Sequence, residues 1–354
     1  MIFQETEGQR VIRFVENKTP AMDRVSTLLE ACARENLWAN RGPLYHRMAD
    51  AFAEHLQVPE GARVTPCANG GVALEAMARL HEQAAGQKLR WVSSSFTFQN
   101  MGRGYFADVT FVDCDARGML DLAALRALDP DSFDGVIVVN TLGMVQDFSD
   151  YIDFAKETGK ALLFDNAAGV RAGIPDWPWQ SFSLHQTKPY GLGEGGLAIT
   201  PADQAEEFYT LLNYEAPPEA AHLWMNNGKI SDIACAFHIS RLEAVEEWTP
   251  RYHEQAARIE EIAREMGLRP LLPPDGPTPK TSCAFLSVEP IPLERLRLTK
   301  HINFAKYYKP LADLPMTQDV YAHIVNIPTH PDMGQATKSQ ITEDLTRLMT
   351  GADA

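Results

Sequence analysis

One lysine placed between two strands constrains the fold of this chain more than any other feature. A hydroxyl-rich strand leads into Lys188, glycines follow it, and the apolar segment 197–200 is typical of a further strand. An amine held in a tight turn between buried strands is poorly solvated. Poor solvation lowers the pKa of the amine and makes it the nucleophile that Schiff-base chemistry needs. The ordinary alternative is a solvated lysine on a surface turn, because lysines are rarely buried.

The glycines after the lysine match the pattern G-x-G-x-x-G at Gly191, Gly193 and Gly196. A dinucleotide-binding fingerprint must follow a strand and open a helix. Here a strand follows the glycines, so the match does not indicate a dinucleotide site.

An acid stands at the end of a strand upstream of the lysine, where the apolar segment 161–164 runs into Asp165. The carboxyl end of a buried strand is where open α/β sheets bind their ligands. A lysine and a strand-end aspartate together fit pyridoxal 5'-phosphate, in which the lysine holds the aldehyde and the acid pairs with the pyridinium nitrogen.

Two further segments are candidates for binding the same cofactor. Gly70, Gly71 and Val72 open a predicted helix, and exposed N–H groups at a helix start favour a phosphate, although a plain capping turn at Asn69 is the alternative. Phe98 follows the predicted strand 91–94 and can stack on a flat pyridine ring. An ordinary core phenylalanine is the alternative reading of Phe98.

Composition bounds the class of protein. The chain has 354 residues, of which 45% are hydrophobic, enough for a large core in two closely joined domains. The net charge of −15 argues against nucleic acid or an anionic membrane as partner. Five dispersed cysteines without a C-x-x-C pair indicate free thiols and no structural zinc. Residues 1–7 have no basic or apolar signal character, so a cytoplasmic protein without a membrane span is expected.

Apolar strands alternate with a helix through the middle of the chain, which predicts a parallel α/β sheet. Strands are predicted at 91–94, 109–115, 136–140 and 162–165, with a helix at 148–158. Further on, a helix through Trp248 leads to Pro250, which is predicted to be a hinge before a long helix at 251–266.

These motifs resemble those of the DegT/DnrJ/EryC1/StrS sugar aminotransferases, over roughly residues 40–242 and again near the C-terminus. The family's lysine segment reads S-F-H-x-T-K-x-x-x-x-G-E-G-G. Its matches here are Ser183, His185, Thr187, Lys188, Gly193, Glu194, Gly195 and Gly196. Asp165 matches the family's E-D-A-A-Q/H, and Asn227, Ser231 and Asp232 match its G-x-N-Y-R-L-S-E.

The resemblance implies a fold-type-I aminotransferase of the α/β class. It has a mostly parallel central sheet in a large domain (residues 1–245) and a smaller C-terminal α+β domain (246–354). The implied reaction moves an amino group from glutamate or glutamine to a nucleotide-linked keto-deoxysugar. The implied cofactor is pyridoxal 5'-phosphate.

The resemblance also implies roles for particular residues. Lys188 and Asp165 are the catalytic pair. The cofactor-binding set is Gly70, Gly71, Val72, Phe98, Asp165, Ser183, Lys188 and Asn227. In the family the asparagine at the position of Asn227 reaches the cofactor phosphate of the neighbouring subunit, which implies a homodimer with shared active sites.

Two positions depart from the family pattern. Gly71 stands where threonine is usual, and Ala168 stands where glutamine or histidine contacts the phenolic oxygen of the cofactor. Either the cofactor is held less tightly or another residue, such as Asn166, supplies the missing contact.

Two alternatives stay open. Sugar dehydratases of the same fold carry histidine in place of the lysine, so Lys188 argues against that reaction. A non-catalytic pyridoxal-binding regulatory protein is the other alternative. The acidic chain shows no evident DNA-binding segment, which argues against a regulator of that kind.

Overall fold

The computed structural model describes residues 11–215, 218–273 and 276–351. Residues 1–7, on which the expectation of no signal sequence rests, lie outside these ranges. Within them, no helix has the length and apolar character needed to span a membrane. All five cysteines are buried and carry free thiols.

Helices and strands alternate along the first two thirds of the chain. The α-helices are α1 (Met22–Glu35), α2 (Pro43–Leu56), α3 (Gly70–Ala85), α4 (Leu122–Arg126), α5 (Ser149–Thr158), α6 (Ala205–Leu212), α7 (Asp232–Glu243), α8 (Val245–Glu265), α9 (Pro315–His323) and α10 (Lys338–Thr350). The strands are β1 (Ala62–Cys67), β2 (Trp91–Ser94), β3 (Thr110–Val112), β4 (Gly135–Val139), β5 (Ala161–Asp165), β6 (Gln180–Ser183), β7 (Gly196–Pro201), β8 (Arg269–Pro270), β9 (Ser282–Leu286) and β10 (Ile324–Pro328).

The central sheet has seven strands in the order β1-β7-β6-β5-β4-β2-β3. The pairs among β2 to β6 are parallel, and only β7 runs antiparallel to its neighbours. The reason lies in the connections, since β6 and β7 are joined by one tight turn whereas parallel strands need long crossovers. Every residue of β4 is buried, as expected for a strand covered on both faces. The prediction of a mostly parallel sheet is confirmed.

The C-terminal part of the chain builds a second, antiparallel sheet in the order β10-β9-β8. Helices α8 and α10 cover it, and their apolar faces share one core with the strands. That core includes Ile259, Phe285, Val325, Ile341 and Leu345.

The predicted hinge at Pro250 is wrong. Helix α8 runs through Pro250 without interruption, and the break lies earlier, at Ala244 between α7 and α8. Pro250 lies in the second turn of α8. There its missing N–H removes a single bond near the helix start, and the rest of the helix is unaffected.

The segment before α1 connects the two sheets. Ile12 forms a bridge with Ile302 beside the second sheet, donating to the carbonyl of His301 at 2.8 Å and accepting from the N–H of Asn303 at 2.9 Å. Residues 11–18, called the N-terminal strap below, then run to the turn between β6 and β7. The sequence alone predicted no structure for this segment.

Candidate active site

The turn that carries Lys188 is closed by its own backbone. Residue 184 donates to the carbonyl of 195 and residue 186 to that of 193, which continues the β6–β7 ladder beyond the strands. Inside the turn, the N–H of Lys188 donates to the carbonyl of His185 at 2.8 Å, and that of Gly191 donates to the carbonyl of Lys188 at 3.0 Å. Residues 184–195, called the lysine turn below, thus form a compact loop at the end of β6.

The imidazole of His185 ties the two arms of the lysine turn together. Its Nδ1 lies 2.8 Å from Thr187 Oγ1 and accepts from the Thr187 N–H at 3.2 Å. Its Nε2 lies 3.3 Å from a carboxylate oxygen of Glu194. Because Nδ1 accepts a backbone N–H, the ring proton belongs on Nε2, facing Glu194.

The glycines of the turn reflect close packing. A Cβ at Gly191 would lie 2.0 Å from the carbonyl oxygen of His185, and one at Gly195 would lie 2.4 Å from His238 Nε2. A Cβ at Gly196 would lie 2.3 Å from the backbone of Asn69, at the start of α3. Strand β7 follows these glycines, so rejecting a dinucleotide fingerprint is confirmed.

Asp165 ends β5, Lys188 lies in the turn after the adjacent strand β6, and the two groups influence one another. Asp165 is 5% exposed at the end of β5, and its Oδ1 accepts the N–H of Ala167 at 3.0 Å. Burial raises the pKa of Asp165, and the Ala167 N–H and Lys188 oppose this. Burial lowers the pKa of Lys188, and Asp165 opposes it. The lysine is therefore not the solvated surface group of the ordinary alternative, and a larger share of it is the neutral, nucleophilic amine.

The start of α3 lies directly against the end of β6. Asn69 caps the helix by accepting the Val72 N–H at 2.9 Å, as its capping interpretation predicted. A Cβ at Gly70 would lie 3.0 Å from the carbonyl oxygen of Phe182 and 3.2 Å from the backbone nitrogen of Ser183. The fold thus brings the glycines of α3 and Ser183 together, at a helix terminus suited to a phosphate.

The two phenylalanines after β2 have opposite environments. Phe96 is 0% exposed and its ring meets that of Tyr308 edge-on, with centroids 5.6 Å apart. Phe98 is 51% exposed. Phe96 therefore packs into the core, whereas the core interpretation of Phe98 is wrong and its ring keeps an accessible face.

Asn227 lies in an exposed loop beside α3. Its side-chain oxygen accepts the N–H of Lys229 at 3.4 Å. The next residue, Gly228, binds Ala68 through its carbonyl at 2.8 Å, and a Cβ there would lie 2.8 Å from the side chain of Val72. The loop is therefore anchored on its own chain, while the amide of Asn227 faces outward.

The side chain of Asn166 is occupied elsewhere. Its Oδ1 accepts from Asn140 at 2.9 Å and its Nδ2 donates to Gln180 at 2.7 Å, both within the buried end of the sheet. This disfavours the hypothesis that Asn166 supplies the contact missing at Ala168.

Two residues near the site were not assigned a role from the sequence. Tyr308 reaches from the C-terminal part of the chain to Phe96, and both burial and Asp165 raise the pKa of its phenol. Tyr308 lies in the C-terminal stretch where the sequence again resembles the family, and that resemblance was a signal for it. Lys18 binds the lysine turn from the N-terminal strap, and no local motif marked it.

Comparisons with known proteins agree with this geometry. A model of the DegT/DnrJ/EryC1/StrS aminotransferase family matches residues 22–346. Protein MT3510 of Mycobacterium tuberculosis (strain CDC 1551 / Oshkosh) is 27% identical over 255 residues, an alignment covering 65% of this chain and 60% of that protein. The chain thus spans about 60% of the length of the first curated relatives that it matches. The L-glutamine:2-deoxy-scyllo-inosose aminotransferase of Streptomyces fradiae is 26% identical over 308 residues, covering 75% of this chain and 71% of that enzyme.

Solved structures share the fold. DesI, crystallised in the presence of its TDP-sugar product, superimposes with a TM-score of 0.82 at 21% identity, over 97% of this chain and 94% of that one. Helicobacter pylori PseC, an aminotransferase involved in the biosynthesis of pseudoaminic acid, gives a TM-score of 0.81 at 15% identity, over 97% of this chain and 100% of that one. The fold is that of the type-I aminotransferases, as expected.

Proposed function

The chain belongs to the DegT/DnrJ/EryC1/StrS aminotransferase family, and we propose that it transfers an amino group from glutamate or glutamine to a nucleotide-linked keto-deoxysugar. The observation that carries the proposal is the pairing of Asp165, buried at the end of β5, with Lys188, partly buried in the turn after β6, beside the start of α3. That arrangement joins an amine nucleophile, an acid and a phosphate-binding helix terminus in one place.

The residues present fit pyridoxal 5'-phosphate, the cofactor of this family. Asp165 is buried without an ion pair within 4 Å among the described residues, so a pyridinium N–H would satisfy its charge. Phe98 offers a free aromatic face, and the capped start of α3 offers N–H groups beside Ser183. When bound, the cofactor supplies an electron sink for the bond changes at the amino-bearing carbon.

The chain's own residues supply proton control and positioning. The lowered pKa of Lys188 leaves its amine nucleophilic, so it would hold the aldehyde of a bound cofactor. Once an amino donor had displaced it, the same amine would be free to carry a proton from the donor's Cα. Asp165 would keep the pyridine nitrogen of a bound cofactor protonated by providing a buried anion. Gly71 and Ala168 offer no side-chain donor, so a bound phosphate would rest on the backbone N–H groups at the start of α3 and on Ser183.

A second acceptor class has support of its own. Several relatives are L-glutamine:2-deoxy-scyllo-inosose aminotransferases, whose name describes a keto-cyclitol acceptor and a glutamine donor. We keep the nucleotide-linked sugar as the primary proposal. A free polyhydroxylated cyclic ketone is the second candidate.

We also propose that the active unit is a homodimer with shared sites. Leu37, Trp38, Tyr214 and Ile233, called the apolar patch below, are all more than a third exposed. The Asp232 N–H donates to the carbonyl of Trp38 at 3.0 Å, so Trp38 and Ile233 are neighbours, and the ammonium of Lys229 lies 5.4 Å from the ring centre of Tyr214. Exposed apolar side chains around the Asn227 loop suit contact with a second copy of the chain.

One buried carboxylate holds the loops of this patch in place. Asp232 accepts the N–H groups of Gly42, Leu44 and Tyr45 at 2.8–3.1 Å, and so fastens the start of α2 to the start of α7. The patch is therefore a firm surface, as a preformed interface requires.

We also propose that the chain divides into a large domain (residues 1–245) and a small domain (246–354). The proposed location is the cytoplasm, whose reducing conditions suit free thiols.

The testing experiment uses the purified protein loaded with the cofactor. Glutamate and glutamine are each added while the absorbance of the cofactor is followed, and then a nucleotide-linked keto-deoxysugar or a keto-cyclitol is supplied. Amination of the nucleotide-linked sugar supports the primary proposal, and amination of the cyclitol alone supports the second candidate. A deoxygenated keto product without net amine transfer would indicate a dehydratase. No spectral change with any donor would indicate a non-catalytic protein.

A further inference from the structure

A buried ammonium group from the N-terminal strap holds the backbone of the lysine turn. The Nζ of Lys18 donates to the carbonyl oxygens of Gln186 and Gly191, each at 2.9 Å, and to that of Lys188 itself. The side chain of Lys18 is only 2% exposed. An ammonium has three N–H donors, so these three carbonyls use all of them.

A second cation, Arg241, binds the same turn. Arg241 donates to the carbonyl of Pro189 at 3.0 Å and to the hydroxyl of Tyr252 at 3.1 Å. Carbonyls 186, 188, 189 and 191 therefore all receive charged donors from distant parts of the chain. Such charge-assisted bonds are stronger than bonds between neutral groups.

The positive charge of Lys18 is balanced inside the protein. Glu16, 8% exposed, lies 3.8 Å from Lys18 Nζ and accepts the hydroxyl of Tyr252. Burial lowers the pKa of Lys18 to about 7, and Glu16 opposes this change. Three carbonyl acceptors need three N–H donors, so the contacts of Lys18 favour its ammonium form, which has no lone pair with which to act as the reacting amine.

The strap is anchored before it reaches the turn, so Lys18 is supported by fixed backbone. Asn17 donates its N–H to Asp332 at 2.8 Å, and the carbonyl of Arg13 lies 3.0 Å from His330 Nε2. Together with the bridge at Ile12, these bonds fasten the strap to the C-terminal part of the chain. The turn is thereby connected to both sheets.

We propose that Lys18, balanced by Glu16, is a positioning residue that fixes the backbone of Lys188 and so sets where its amine lies. The inference rests on the proposed function only in taking Lys188 as the reacting amine. The physical reason is that buried carbonyls of a tight turn need donors, and losing three of them at once releases the turn. A displacement of about 1 Å at a reacting group can cost on the order of 100-fold in rate.

The test begins with the cofactor-free protein and needs no catalysis. Lys18→Met removes the charge and the donors at similar length, Lys18→Arg keeps a cation, and Lys156→Met on the exposed face of α5 is the matched control. Hydrogen exchange of the amides of Lys188 and Gly191 should accelerate by about tenfold or more in Lys18→Met. The same amides should exchange at the wild-type rate in Lys156→Met.

A second readout follows the covalent capture of the cofactor by borohydride trapping. Lys18→Met should trap it on Lys188 about tenfold more slowly than wild type, and Lys18→Arg should recover part of the rate. In turnover the loss should fall on kcat more than on KM for the amino donor. Unchanged exchange together with unchanged capture would overturn the proposal, as would an adduct on Lys18.

Glu16→Gln decides the matter where Lys18→Met does not fold, because it keeps the shape and removes only the balancing charge. It should change exchange and capture in the same direction by a smaller factor, and wild-type values for both would overturn the proposal. The two proposals can fail separately. If exchange and capture change in the variants but the wild-type protein aminates nothing, the positioning role stands and the aminotransferase function is refuted.

Discussion

The lysine turn and the Asn227 loop were both assigned to the cofactor from the sequence, but their own chain holds them very differently. The lysine turn is bound from several sides, by Lys18 and Arg241 on its carbonyls and by the start of α3 against Gly196. The amide of Asn227 is exposed, in a loop bordered by the apolar patch. The difference teaches that a residue whose partners lie within its own chain is surrounded by them, whereas the exposed amide of Asn227 leaves room for a partner from outside the chain.

The largest effect is expected in the lysine turn, whose contacts all come from its own chain. Lys188→Ala should abolish both turnover and the borohydride-trapped adduct, because Lys188 is the one lysine among the described residues whose charge acts on Asp165. Circular dichroism should show the fold retained, since the backbone carbonyls that Lys18 binds remain. An adduct trapped on another lysine, found by peptide mapping, would refute the assignment of Lys188.

Asp165→Asn tests the acid that acts beside Lys188. Turnover should fall by orders of magnitude, because a neutral amide cannot keep the pyridine nitrogen protonated. The raised pKa of Asp165 means that its charged form destabilises the cofactor-free fold above the unfolded-state pKa. Replacement by asparagine should therefore leave the Tm of the cofactor-free protein unchanged or higher at neutral pH. Near-normal activity, or a large fall in Tm, would make the acid a structural residue.

Mixing two inactive variants tests whether the Asn227 loop serves the active site of a second chain. Lys188→Ala and Asn227→Ala are refolded together, so that in a mixed dimer one site collects both defects and the other is intact. Half the dimers are mixed under random pairing and half their sites are whole, so activity should approach about one quarter of wild type. If Asn227 serves the site of its own chain, as its anchorage beside Val72 would also allow, mixing recovers nothing. The design requires that Asn227→Ala alone be clearly impaired.

Ile233→Lys tests the apolar patch directly. Burying an unpaired charge in an interface is costly, so the variant should sediment as a monomer and lose activity. Val288→Lys is the matched control, because Val288 is 84% exposed and lies outside the patch. A dimer in Ile233→Lys as stable as in the control would remove the patch from the interface.

The smallest effect is expected at Ala168. Ala168→Gln should tighten cofactor binding by about 1 kcal/mol, the contribution of one hydrogen bond, since Asn166 is occupied by Asn140 and Gln180. Ala168→Met adds similar bulk without a donor and should bring no such gain. The dissociation constant of the cofactor measures both. Equal effects of the two substitutions would mean that side-chain volume, rather than a hydrogen bond, changes the affinity for the cofactor.

Prediction from the sequence succeeded where neighbours along the chain determine the structure. Strand β2 was placed at its observed bounds, and β4, β5 and β7 within one residue at each end, because apolar strands around turn residues carry their own signal. The prediction of a hinge at Pro250 failed. Proline usually interrupts a helix, but α8 is long enough to tolerate one missing hydrogen bond near its start. The free face of Phe98 and the bonds of Asn166 also lay beyond prediction from the sequence, since both depend on which elements pack nearby.

The sequence by itself determined the pairing of Lys188 with Asp165, the glycine start of α3 and the family of the chain, because each lies in a short segment with a recognisable pattern. Only the tertiary structure decided what holds those segments together. Lys18 meets the lysine turn across some 170 positions of chain, and Asp232 fastens a helix that begins nearly 190 positions earlier. A buried charge and a backbone carbonyl carry no pattern along the sequence, so their meeting is known only once the chain has folded.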